Sequence, residues 1–195
     1  MTSPLSLFPD FRDLLKELAT ADAEFVIVGG YAVSAWGHLR TTKDIDVLVR
    51  ATPENAQRGH VALARFGAPL HDLTVADLAQ PGTFFQIGLP PRRVDIITAL
   101  PGISWEDAVT GAKLLEFNGV LMPIIGLAAL LKNKRAVGRP EDKKDVRALE
   151  KIHGLVSPPP LRRRPRTTKK RSRKKPRGRR PRRPPRGAAG HYLIW

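Results

Sequence analysis

The sequence predicts a mixed α/β domain: a short mixed β-sheet with helices on one face and a small helical part at its C-terminal end. Three observations support this. Short β-branched runs end at glycine or proline. Segments with apolar residues at helical spacing lie between them. Two helix-like segments, 126–135 and 140–152, close the ordered part of the chain.

Taken in order, Phe8 to Leu18 carries Phe11, Leu14, Leu15 and Leu18 on one helical stripe, with Asp10 near its start. Glu24 to Val28 is a buried strand stopped by Gly29-Gly30. Tyr31 to Gly37 reads as a short helix, and Ile45 to Val49 as a strand. Thr52-Pro53 opens a helix running to about Phe66, with threonine as cap and proline at the first position. Thr83 to Gly88 and Arg93 to Ile97 are strands joined by Leu89-Pro90-Pro91. Trp105 to Val109 is a short helix. Leu114 to Phe117 and Val120 to Met122 flank Asn118-Gly119, a strong hairpin signal. Phe84, Phe85 and Phe117 are expected in the core rather than as stacking platforms, and so are Tyr31 and Trp36.

At 195 residues the chain has room for one domain with a substantial core. It has no cysteine, so disulfides, thiolate metal sites and cysteine nucleophiles are excluded. No apolar run approaches the roughly 18 residues of a membrane span. The first residues lack a basic-then-apolar signal pattern, so a cytoplasmic location is expected. The five histidines show no metal-ligand spacing.

The formal charge of +16 is unevenly placed. Residues 1–157 hold 18 basic and 18 acidic residues, whereas residues 158–195 hold 16 basic residues and no acid. The domain is therefore expected over 1–157, with 158–195 a disordered Arg/Lys/Pro-rich tail. Two readings of the tail stand: an arm that binds a phosphate backbone, or a non-native extension such as a frame-shifted translation.

The chemistry-bearing segment is Val28-Gly29-Gly30 followed, after thirteen intervening residues, by Asp44-Ile45-Asp46. Strand alternation puts Asp44 and Asp46 on one face, roughly 7 Å apart, and Ile45 on the other. Two such carboxylates repel unless a cation lies between them, and a hard cation with oxygen ligands answers that need. Alone, the pair also fits two solvated acids on an edge strand. The two glycines allow backbone N–H groups to approach a phosphate at a helix start; alone they also fit a tight turn. Asp95 sits between apolar neighbours in Arg93-Val94-Asp95-Ile96. Three carboxylates and a glycine turn suit phosphoryl or nucleotidyl transfer.

These residues resemble the DNA polymerase β-like nucleotidyltransferase superfamily. Residues 9–153 resemble, more narrowly, the small prokaryotic nucleotidyltransferases related to the abortive-infection and toxin–antitoxin group. The resemblance is carried by Val26-Ile27-Val28-Gly29-Gly30-Tyr31-Ala32, Arg40-Thr41-Thr42-Lys43-Asp44-Ile45-Asp46, Arg93-Val94-Asp95-Ile96 and Asn133-Lys134-Arg135-Ala136-Val137-Gly138-Arg139-Pro140, the last continuing to Asp142 and Asp145. It implies a nucleotidyltransferase fold and two Mg²⁺ ions, both held by Asp44 and Asp46. Asp95 would bind the catalytic ion and stand nearest the attacking hydroxyl. Gly29 and Gly30 would cradle a nucleoside triphosphate. Arg40 and Lys134 would contact its phosphates, with Lys132 and Arg139 as further candidates. Asp142 and Asp145 would position these bases, or else cap and pair at a helix surface. Gly30 stands where many relatives carry serine, and Glu141 where the narrower group carries lysine.

The resemblance implies transfer of a nucleoside monophosphate to an acceptor hydroxyl on RNA or protein, within a toxin–antitoxin system. Two alternatives are a catalytically weak member that binds a toxin or antitoxin partner, and a basic nucleic-acid-binding protein acting through its tail.

Overall fold

The computed structural model describes residues 8–89, 92–117 and 119–155, without the side chain of Phe117. The expected tail, the Pro90-Pro91 link and Asn118 lie outside the described residues. The elements run α1 (Pro9–Thr20), β1 (Phe25–Val28), α2 (Gly29–Ala35), β2 (Asp44–Val49), α3 (Pro53–Phe66), α4 (Val75–Leu78), β3 (Phe84–Ile87), β4 (Arg93–Ile97), α5 (Trp105–Val109), β5 (Lys113–Phe117), β6 (Val120–Ile124), α6 (Leu127–Val137) and α7 (Pro140–Ile152). This is the mixed α/β architecture read from the sequence.

The six strands form one sheet in the order β3-β4-β2-β1-β6-β5. Antiparallel pairs join β1 to β2, β3 to β4 and β5 to β6. Parallel pairs join β2 to β4 and β1 to β6. The central pairing aligns Asp44 with Arg93, Ile45 with Val94, and Asp46 with Asp95. Paired residues share a face, so one face at this end of the sheet carries four charged side chains. The alternate residues Ile45, Val47, Val94 and Ile96 are buried. The core thereby determines which way the carboxylates point.

Local rules account for the flanking elements. The stripe of α1 is fully buried at Phe11, Leu14, Leu15 and Leu18. Thr52 caps α3 by accepting a hydrogen bond from the Asn55 N–H at 3.3 Å. The helix ends at Gly67, whose φ of +85° suits glycine. Ser104 and Asp107 form a reciprocal capping box on α5. Tyr31 is buried edge-to-face against Phe11, and burial raises its phenol pKa. Among the described residues no helix is long and apolar enough to cross a membrane.

Three local expectations change. The short helix α4 and the 3-10 turn at Leu70–Asp72 were not expected. A four-residue helix is too short for periodicity, and its signal is the Thr74–Asp77 capping box. Helix α2 starts at Gly29 rather than Tyr31. Phe84, expected in the core, is exposed, because β3 is an edge strand and this residue points off the packed face; Phe85 is half-buried.

Asn55 ties α3 to the sheet. Its amide accepts from the Glu24 N–H at 2.6 Å and donates to the carbonyls of Glu24 and Arg50 at 3.0 and 2.9 Å. Replacing this buried side chain takes away the acceptor of the Glu24 N–H and one of the two donors at each of the Glu24 and Arg50 carbonyls, which keep the Arg50 and Thr52 N–H groups. Asn55→Ala should lower the free energy of urea unfolding by about 1–3 kcal/mol.

Candidate active site

The carboxylate face is built by strand parity and by a turn that leaves room for it. Asp46 and Asp95 are register partners on adjacent parallel strands, and Asp44 lies two residues before Asp46. Asp95 is 4% exposed, and Asp44 and Asp46 are half-buried. Beside them, Gly29 has a φ of +58°, and a Cβ built there would stand 1.9 Å from Asp46 Oδ2. Only glycine lets the first turn of α2 meet that carboxylate. The Gly30 backbone then donates a hydrogen bond to Asp46.

Arg93 stands among these acids. Its Nε and Nη2 donate to the two oxygens of Asp95 at 2.8 and 3.0 Å, and Nη2 donates to Asp44 Oδ2 at 2.7 Å. Gln86 of β3 donates to Asp95 Oδ1 at 3.3 Å. Contact with Asp95 raises the Arg93 pKa still further. Asp44 Oδ1 is buried with no hydrogen-bond partner. Asp46 receives no direct cation among the described side chains. Burial, then the charge of Asp95, push its pKa from 3.8 up to about 6; Asp44 adds to the rise, while the Gly30 backbone and Lys134 oppose it.

A second cluster lies behind the glycine turn. The Lys134 ammonium of α6 is buried 2.8 Å from Asp142 Oδ1 and 2.9 Å from Asp145 Oδ2, both on α7. Asp142 also accepts from the Arg139 backbone N–H at 3.2 Å and so caps α7. Arg40 Nε lies 3.7 Å from Asp145 Oδ2, and His38 Nε2 lies 3.8 Å from Asp145 Oδ1. Arg40 Nη2 and Thr42 Oγ1 would stand 2.9 and 2.7 Å from a Cβ at Gly30. The Ser34 hydroxyl holds the Arg40 backbone, accepting from its N–H at 3.5 Å and donating to its carbonyl at 3.4 Å.

The structure thus brings together Asp44, Asp46, Asp95, Gly29, Gly30, Arg40 and Lys134. Arg139 lies beside them at the start of α7. Lys132 is turned away: it is exposed, and its ammonium meets Asp107 of α5 at 2.8 Å. Sequence reasoning did not single out Arg93, Gln86, Ser34 or Thr42. The signal for Arg93 was its place two residues before Asp95, on the same strand face.

The donor set is all oxygen, as a hard divalent cation requires. A buried idle carboxylate oxygen and a carboxylate with a raised pKa both fit an added cation. Among the described residues no three side chains converge as a ready metal cage; Asp44 and Asp95 are held by Arg93.

Two solved structures share this architecture. A Thermotoga maritima protein provisionally named a nucleotidyltransferase has a TM-score of 0.51 and 14% identity, over 76% of this chain and 97% of that chain. The antibiotic-resistance factor ANT(2'')-Ia in solution has a TM-score of 0.50 and 14% identity, over 75% of this chain and 86% of that chain. The chain has the nucleotidyltransferase fold. No family model matches the sequence, and no curated protein matches it.

Two outcomes follow. The native Asp46 holds its proton more tightly than the unfolded chain does, so it lowers native stability as pH rises from 3.8 through about 6. Without metal, Asp46→Asn should raise stability at pH 8 by about 3 kcal/mol and leave it unchanged well below pH 4, read by urea unfolding. Lys134→Met strands two buried carboxylates and should cost about 3–5 kcal/mol, with partial recovery when Asp142→Asn and Asp145→Asn are added.

Proposed function

We propose that the protein is a Mg²⁺-dependent nucleotidyltransferase that moves a nucleoside monophosphate from a nucleoside triphosphate to an acceptor hydroxyl, releasing pyrophosphate. The observation that carries this reading is the three-carboxylate face on β2 and β4, set against the Gly29-Gly30 turn. The shared fold supports it.

In this reading Asp44 and Asp46 hold two Mg²⁺ ions, with Asp95 on the catalytic one. Bound Mg²⁺ supplies a lowered pKa for the attacking hydroxyl and neutralises charge on the departing pyrophosphate. Asp95 orients that hydroxyl or accepts its proton. The Gly29-Gly30 turn receives the triphosphate, and the missing side chains let Asp46, Thr42 and Arg40 close in on it. Arg40 lies over Gly30 and is part-exposed, so it contacts the phosphates. Lys134 adds positive charge from behind, which already reaches Asp46. Arg139 is a further phosphate contact; Lys132, held by Asp107, is left out.

The acceptor in this reading is RNA or protein, in a toxin–antitoxin setting with a cognate partner, in the cytoplasm. The domain of residues 1–157 carries the activity, and the basic tail is not needed for the chemistry. One observation favours a second reading, a catalytically weak member that binds such a partner: Arg93 already occupies the carboxylate face.

The test incubates the full chain with Mg²⁺, each α-labelled nucleoside triphosphate in turn, and total RNA or cell lysate. Label should pass to RNA or protein and fall at least about a hundredfold in Asp44→Ala/Asp46→Ala, the scale of losing metal catalysis. No transfer, and no Mg²⁺-dependent triphosphate binding, would leave the partner-binding reading.

A further inference from the structure

We propose that Arg93 is a built-in counter-cation that a divalent metal must displace, so that Arg93 sets the metal affinity of the carboxylate face. The proposal rests on the nucleotidyl-transfer reading for the location of the metal.

Three hydrogen bonds from one guanidinium engage both oxygens of Asp95 and one oxygen of Asp44. A hard cation needs the same atoms, and unlike the neutral Gln86 amide, a guanidinium crowded on them repels a divalent ion. The fit is specific to arginine. Its planar fork meets one carboxylate with two donors while reaching a second, which a lysine ammonium does not reproduce.

The same geometry shows that the arrangement is incomplete. Among the described side chains one cation bonds this face, and it reaches two of the three carboxylates. Among the described residues Asp44 Oδ1 is buried and idle, and Asp46 has no direct cation. A divalent ion supplies the missing charge and can use the idle oxygen. The guanidinium also has a way out: the Arg93 side chain is 28% exposed, against 6% for that of Asp95. Gln86 keeps its own bond to Asp95 Oδ1 and holds that carboxylate in place after Arg93 leaves.

The experiment uses the full chain without nucleotide. Free Mn²⁺ is titrated and followed by electron paramagnetic resonance in wild type, Arg93→Gln and Asp44→Asn/Asp95→Asn. Arg93→Gln should bind Mn²⁺ roughly ten- to a hundredfold more tightly than wild type, since a competing charge is gone. In parallel, the Arg93 Nε–H signal is followed in ¹⁵N spectra of wild type and assigned by its loss in Arg93→Gln. Saturating Mg²⁺ should move it from a protected to a rapidly exchanging signal. Equal or weaker Mn²⁺ binding by Arg93→Gln overturns the proposal, and so does an Nε–H signal that Mg²⁺ leaves unchanged. If Arg93→Gln does not fold, Arg93→Lys takes its place with an affinity above wild type, and the ¹⁵N readout needs only wild-type protein with Arg93→Lys as its assignment control. Wild-type Mn²⁺ binding that persists in Asp44→Asn/Asp95→Asn puts the metal elsewhere, and the nucleotidyl-transfer reading of the site falls too. Binding lost there, but not tightened in the Arg93 variant, overturns the Arg93 proposal alone.

Discussion

Crowding of like charge on one face of two strands is the constraint around which this molecule is arranged. Asp44, Asp46 and Asp95 share that face because Ile45, Val47, Val94 and Ile96 must share the other. A one-residue slip of β2 against β4 would turn acids into the core and expose the apolar residues. Folding the core and assembling the carboxylates are therefore one event. The groups described beside the acids carry positive charge, donate a hydrogen bond or make room. Arg93 bonds two of them, Gly29 gives up a side chain for the third, and Lys134 acts on it from further away.

The ion cluster behind the glycine turn has a different character. Lys134, Asp142 and Asp145 are all buried, and taking three charges out of water is costly even when they pair well. An apolar trio could hold α6 against α7 as firmly. What the ions add is placement. Asp145 reaches toward Arg40 and His38 in the loop after α2, and Asp142 closes the start of α7. The loop that carries Arg40 over Gly30 is thus anchored to two helices by charge and by the Ser34 hydroxyl.

Much of this was legible in the sequence because it depends on parity and caps. The alternation in Asp44-Ile45-Asp46 and around Asp95 determines facing directly, and Thr52-Pro53 marks a helix start that the structure reproduces. What escaped depends on side-chain reach. An arginine at the start of a strand is commonly a solvated end, and only the register with Asp44 shows that Arg93 spans two strands. Lys132 and Lys134 look alike in sequence, yet they sit about 200° apart around an α-helix. One is therefore buried against α7 and the other meets α5. The exposure of Phe84 follows from strand order, which local pattern does not encode.

The arginine on the carboxylate face changes how the site should be understood. A ready cage of three acids would hold its own repulsion in the absence of metal, and that repulsion would act against folding. Placing Arg93 on the same face removes most of that repulsion, since its fork satisfies Asp95 fully and Asp44 in part. Asp46 has no such fork, and burial first, then the charges of Asp95 and Asp44, push its carboxyl up to about 6. Neutralising Asp46 by protonation, or by a cation delivered from outside, are then competing ways to complete the same balance. In the proposed reading, a divalent ion arriving below that pH would release the Asp46 proton, and at any pH it would break the Arg93 bonds. The bonds that steady this face are, in the proposed reading, the ones a metal would have to break.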